Sequence, residues 1–358
     1  MTKYAVMLTN PLETAYHLEK ALYLALNGRG GPVWIDIPLD VQGAMIETDY
    51  LIHFEPETEK PWQVPSVTND AVDAILGKIK NAKAPLILVG TGIRLGNAEE
   101  ELLKVLDKLQ IPVVTAWNAN DVVAYDNPYF AGMPGTVGTR PGNFAIQNCD
   151  LLLSLGCRLN IRMIGYNHYD FAKNAYKIIV DIDPRELIKP TIKPDMPVNA
   201  DVKDLLNAIL SHEYTPSVDH ARWVKWCRNL VAKYPAALDS YRNNGEGLLN
   251  PYVFMDKLFD QLKDDDRIIC GNGSACVITF KGCKIKQGQR MFTNSGCAAM
   301  GYGFPAAVGV AVADNSRRTI CVDGDGSIMM NIQELATVAY NKIDMKIVLL
   351  NTNGYHSI

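Results

Sequence analysis

Residues 84–117, "APLILVGTGIRLGNAEEELLKVLDKLQIPVVTAW", decide the fold class. An apolar run from Leu86 to Val89 ends at a glycine-bearing turn. An acidic stretch then opens a segment whose apolar residues recur at helical spacing, and a second apolar run follows at Val113. A strand that is apolar at every position is buried on both faces, whereas a half-exposed strand alternates. Strand, amphipathic helix and strand at this spacing form the unit of a parallel sheet covered by helices on each side.

The same alternation begins near Asp70 with the helix "AVDAILGKIKNA" and continues through "DLLLSLG" and "YKIIVDIDP", so residues 70–210 read as a doubly wound central α/β domain. Upstream, residues 1–50 contain one helix, about Leu12 to Leu26, and one short strand in "PVWIDIP", which is too little for a domain. Residues 51–69, rich in proline and charge, read as a linker. Residues 211–247 read as a second connector, with Trp223 and Trp226 as packing anchors on a charged helix. From residue 248 the alternation resumes: helix "NPYVFMDKLFDQLK", strands "RIICGNG" and "QRMFTNSG", helix "GFPAAVGVAVA", strand "RTICVDGDG", helix "NIQELATVAYN", strand "KIVLLNTNG". The chain stops at Ile358, directly after a strand, where such a sheet ordinarily continues.

Composition narrows the function classes. With 35 basic and 39 acidic residues mixed along 358 positions, the chain has no electrostatic footprint for nucleic acid or an anionic membrane, and a small-molecule ligand is expected. No window reaches the length of a membrane span. Eight cysteines without a Cys-x-x-Cys pair, several inside apolar runs, fit a reducing cytoplasm.

Chemistry gathers at three glycine-bearing strand ends in the last segment: "GNGSA" from 271, "TNSGCAAMGYG" from 293 and "GDGS" from 324. In open α/β sheets, ligands bind at the C-terminal ends of strands. Gly324 and Gly326 let the main chain turn sharply and approach a ligand, and Ser327 with the following helix offers NH groups suited to a diphosphate. Asp325 would repel that anion unless a cation lay between them. A hard divalent ion such as Mg2+, held by one carboxylate and neutral oxygens, resolves the conflict. The cluster "LLNTNGY" at the next strand end supplies amide and hydroxyl oxygens. Glycine and aspartate are also ordinary turn residues. The preceding strand, the following helix and the polar cluster at matching depth favour a site.

Gly324-Asp325-Gly326-Ser327 followed, after residue 350, by Asn351-Thr352 resembles the cofactor motif of thiamine-diphosphate-dependent enzymes, and specifically the acetolactate synthase group. "GRGGPVWIDIPLDVQ" is similar to the end of that family's pyrimidine-binding domain. "DLLLSLGCRL" with "IIVDIDPREL" resembles its central domain, and "TNSGCAAMGYGFPAAVGVAVA" the entry to its diphosphate-binding domain. The resemblance implies that residues 248–358 bind thiamine diphosphate, with Asp325 as a metal ligand, the Gly354 carbonyl completing the metal shell, Gly326 and Ser327 on the diphosphate beside Gly324, and Gly271, Asn272 and Gly273 in another cofactor-contacting loop. Met300 matches the bulky residue on which the cofactor is bent. The motif's usual second asparagine is Thr352 here, a shorter and poorer donor. Arg158 and Arg162 resemble a loop that touches flavin adenine dinucleotide in acetolactate synthases, so that cofactor is also allowed, as is an ordinary surface role for both arginines.

The implied reaction decarboxylates a 2-keto acid such as pyruvate and joins the enamine to a second carbonyl, in a homodimer or homotetramer. The family's catalytic glutamate lies upstream of "GRGGPVWIDIP", so no residue here takes that role. Glu13 and Glu19 read as the solvated face of the first helix. The chain is therefore expected to be an incomplete copy of a larger enzyme, inactive alone, with only a remnant of the pyrimidine-binding domain at its start. Two rivals remain: another thiamine-diphosphate decarboxylase or a carboligase for a sugar-linked ketone, and a non-catalytic module whose central domain holds a nucleotide.

Overall fold

The computed structural model describes residues 2–59, 63–243 and 247–354. Every strand pairing in it is parallel, in three sheets. The smallest joins β1 (Tyr4–Met7) to β2 (Val33–Asp36) around helix Thr14–Leu26. The N-terminal segment was expected to hold a single strand; β1 is a second one, only four residues long and exposed at alternate positions.

The central sheet has the order β4-β3-β5-β6-β7, formed by β3 (Pro85–Val89), β4 (Val113–Thr115), β5 (Leu151–Leu155), β6 (Tyr176–Asp181) and β7 (Met196–Asn199). Both of its faces are covered, as the apolar runs require. Ile87 and Val89 pack with helices Asn69–Asn81, Glu99–Leu109 and Val202–Ser211, while Leu86 and Leu88 pack on the other side with Ala145, Trp223 and Cys227. Trp223 is the anchor expected of it: its ring is buried and its Nε1 donates to the Pro85 carbonyl at 2.9 Å. Trp226 stacks on it, 4.8 Å between ring centres.

The third sheet has the order β11-β10-β8-β9, from β8 (Arg267–Cys270), β9 (Arg290–Thr293), β10 (Thr319–Gly324) and β11 (Lys346–Leu350). Ile268, Cys270, Ile320 and Val322 face one core and Ile269 and Cys321 the other, so this sheet is doubly covered too. Helix Gly273–Gly282 crosses from β8 to β9, an element absent from the sequence reading.

The central and third sheets are joined by the segment after β4. Trp117 stacks on Phe280 at 5.1 Å, and the Tyr125 NH donates to the Ile285 carbonyl at 2.8 Å. The Asp121 side chain, fully buried, accepts from Arg290 Nη1 at 2.6 Å and the Met291 NH at 2.8 Å, and meets Arg94 at 3.1 Å. One carboxylate from the central unit thus faces two guanidinium groups, one on each side of the junction.

Candidate functional site

A cleft opens at the C-terminal ends of β8, β10 and β11. Asn272, Gly273, Met300, Gly324, Asp325, Gly326, Ser327, Thr352 and Gly354 all line it. Of the residues expected to contact thiamine diphosphate or its metal, only Gly271 is outside this wall. It packs behind the cleft, where an added Cβ would lie 1.9 Å from Asp323 Oδ1. Glycine is required there because a buried carboxylate fills its side-chain space. Burial pushes the Asp323 carboxyl above its ordinary range, offset in part by the Gly324 NH, the Ser327 hydroxyl and the Phe304 NH.

Asp325 begins a single helical turn, Asp325–Ile328, directly after β10. Its Oδ2 accepts the NH of Gly354 at 3.1 Å and of Thr352 at 3.2 Å. Desolvation raises its pKa, but the NH groups of Gly354, Gly326 and Thr352 and the Thr352 hydroxyl outweigh it, holding the carboxyl below the usual aspartate range. The Thr352 hydroxyl donates to the Gly354 carbonyl at 2.8 Å and stands 3.4 Å from Asp325 Oδ1. Carboxylate, hydroxyl and carbonyl oxygens are thereby strung at separations close to the ligand–ligand edge, about 3.0 Å, of an octahedral ion with bonds of about 2.1 Å. Among the described residues no group of three His, Cys, Asp or Glu could hold a metal. A cation here would take one charged and two neutral oxygens, the donor set suited to a hard ion that brings further oxygens with its anion.

Two of the lining residues also hold neighbouring main chain with their side chains. The Asn272 amide donates to the Ala298 carbonyl at 3.1 Å. Ser327 is buried, and its hydroxyl accepts the Gly301 NH at 3.0 Å. Both brace the turn between β9 and helix Gly303–Ala313 that carries Met300. In that turn Ala298 has φ 53°, a left-handed conformation that strains a residue with a Cβ. Ala298→Gly is expected to raise the unfolding free energy by about 0.5–1 kcal/mol, checked by denaturant titration.

A second cleft lies at the ends of β3 and β5, with Thr91, Gly92, Gly156, Arg158, Asp181 and Asp201 in its wall. The glycines of "VGTG" serve close strand contact: a Cβ on Gly90 would lie 2.2 Å from the Gly156 carbonyl oxygen. Arg158 lines this cleft and pairs with Glu186 at 2.8 Å. Arg162 is not in its wall; its carbonyl takes the Thr136 NH at 2.8 Å. Glu13 meets His17 at 3.4 Å at the start of the first helix, and Glu19 accepts the Phe54 NH at 2.9 Å, which ties that helix to the segment after residue 50.

Residues 72–209 match the thiamine pyrophosphate enzyme central domain and residues 271–358 the C-terminal TPP binding domain. The chain belongs to the thiamine pyrophosphate enzyme family, through these two domains. It is 32% identical over 99% of its length to the acetolactate synthase isozyme 1 large subunit of Escherichia coli K12, covering 60% of that protein. It is 30% identical over 98% of its length to the acetolactate synthase large subunit of Cyanidium caldarium, covering 60%, and 32% identical over 99% to that of Corynebacterium glutamicum, covering 56%. The chain thus spans about 60% of the length of the curated relatives it matches. No helix among the described residues is long and apolar enough to cross a membrane.

Proposed function

We propose that the cleft at Asp325 holds thiamine diphosphate through a divalent cation such as Mg2+, in a carboligase of the acetolactate synthase type. The observation that carries this reading is the gathering of the Asp325, Thr352 and Gly354 oxygens at two adjacent strand ends, with Met300 on the same cleft. Asp325 supplies the negative charge for the cation, and Thr352 and Gly354 supply neutral oxygens. Gly324 and Gly326 keep the main chain bare beside the diphosphate; a Cβ on Gly324 would meet nothing within 4 Å. Met300 forms a ledge for the middle of the molecule. When bound, thiamine diphosphate supplies an electron sink for decarboxylating a 2-keto acid such as pyruvate. The relatives' names favour a second carbonyl as acceptor, which makes the whole protein a transferase.

On this reading residues 70–210 and 248–358 act as central and diphosphate-binding domains, and turnover draws on the part of the relatives' length outside the match, in a homodimer or homotetramer. The second cleft, at the ends of β3 and β5 with Arg158 in its wall, is the place for flavin adenine dinucleotide or another nucleotide. Eight free thiols, six of them buried, support a reducing cytoplasm.

Calorimetric titration with thiamine diphosphate, with and without Mg2+, tests the reading; saturable binding that requires the ion is expected, and its absence would overturn it. Thr352→Asn is expected to tighten this binding several-fold, since an amide oxygen reaches further and donates better than a hydroxyl. Unchanged affinity would show that Thr352 already serves the ion fully. A decarboxylase and a sugar-ketone carboligase predict different products from pyruvate, separable by product analysis of the complete enzyme.

A further inference from the structure

Met300 sits on a turn that is held at both ends by side chains from other strand ends. Two residues before it, the strained Ala298 has its carbonyl bound by Asn272 at 3.1 Å. One residue after it, Gly301 has φ 79°, and its NH donates to Ser327 Oγ at 3.0 Å. The Gly301 carbonyl accepts from Asn331 Nδ2 at 2.6 Å. Asn331 ends the 3-10 turn Met329–Asn331 that follows Asp325 and Ser327 in the chain, and it is not part of the cleft wall. The fit leaves no slack: a Cβ on Gly301 would stand 2.8 Å from Asn331 Nδ2 and 2.8 Å from Met330 Cβ.

A left-handed alanine persists only where its surroundings over-determine it. Remove the Asn331 clamp and the turn can relax, taking Met300 with it, while the oxygens of Asp325, Thr352 and Gly354 keep their own bonds. We infer that Asn331 is a positioning residue that sets the height of the Met300 ledge, and so governs the grip on the organic part of the cofactor rather than on its diphosphate. This rests on reading the cleft as a thiamine diphosphate site. Ser327 would be a poorer probe, since it braces the turn and lines the cleft at once.

The test compares the 358-residue chain with Asn331→Ala, Met300→Ala and the double variant, titrating each with thiamine diphosphate and with inorganic pyrophosphate, both with Mg2+. Asn331→Ala should weaken thiamine diphosphate about tenfold and pyrophosphate less than twofold. The double variant should bind no more weakly than Met300→Ala alone, because a clamp on an absent ledge has nothing to set. Hydrogen exchange across 294–303 in the ligand-free chain should be about tenfold faster in Asn331→Ala. If that variant fails to fold, Asn331→Asp, which removes the donor and keeps the shape, must show the same pattern. Equal losses for both ligands, additive losses in the double variant, or exchange unchanged from wild type would overturn the clamp. Absence of thiamine diphosphate binding by the wild type would instead overturn the reading of the cleft.

Discussion

Asp325→Ala is expected to weaken binding of thiamine diphosphate with Mg2+ on the order of a hundredfold, about 2.7 kcal/mol. Asp325 carries the only charge among the three gathered oxygens, so its removal leaves the hydroxyl of Thr352 and the carbonyl of Gly354 to hold a divalent ion alone. The sign should reverse without the ion. A bare carboxylate repels a diphosphate, so in Mg2+-free buffer the variant should bind at least as well as the wild type. Asp325→Asn, which can still accept the Thr352 and Gly354 NH groups, should fall between the two. Because this carboxyl lies below the ordinary aspartate value of 3.8, its ionised form persists from neutral pH down through that value, and its contribution is lost only as pH falls through the lower folded-state pKa. Any weakening between pH 7 and about 5 would then belong to protonation of the ligand's phosphate, whose second pKa is about 6. Calorimetry of the variant also separates the rival nucleotide-binding module, for which nucleotide binding would be indifferent to Asp325→Ala.

Asp121→Ala should be the most destabilising single change among those considered, about 3 kcal/mol. Its buried carboxylate meets Arg94 and Arg290 and accepts the Met291 NH at the start of β9. Deleting it strands an NH in the junction and takes from Arg290 its ion-pair partner, while Arg94 keeps Glu99 at 2.8 Å. Differential scanning calorimetry should show the third sheet's transition shifted down by several degrees, with Asp121→Asn recovering part of the loss by keeping an acceptor for Met291. A midpoint within a degree of wild type would mean that the junction rests on Trp117 and Phe280 instead. Thiamine diphosphate with Mg2+ should raise the midpoint of both variants, since binding to the folded form stabilises it whatever the interface.

Much of this architecture was legible because apolar runs such as Leu86–Val89 and Leu151–Leu155 are buried at every position, a pattern that only a doubly covered strand satisfies. β7 escaped because Pro197 sits inside it, and proline argues against a strand unless the strand lies at an edge; β7 is the edge of the order β4-β3-β5-β6-β7. Helix Gly273–Gly282 escaped for a different reason: "GSACVITFKG" is apolar nearly all round and begins and ends in glycine, so it shows no helical stripe. At the site, strand-end chemistry pointed to Asp325 and to the polar cluster around Thr352, whereas Gly354 came only from the family resemblance. Neither could show that Gly271 makes room for Asp323, or that Asn272 and Asn331 spend their amides on the Met300 turn. Those partners lie 26 to 52 residues apart in sequence, and only the packed sheet brings them together.

Among the described residues β11 is the outer member of its sheet, bonded to β10. Two of the three converging oxygens hang from its end, whereas Asp325 leaves the inner strand. An ion gripping all three would act as a rivet across the last rung of the ladder, where the hydrogen bonds between these strands have just run out. Loading the site would therefore also fasten β11 to β10, and fraying between these two strands would fall first on empty molecules.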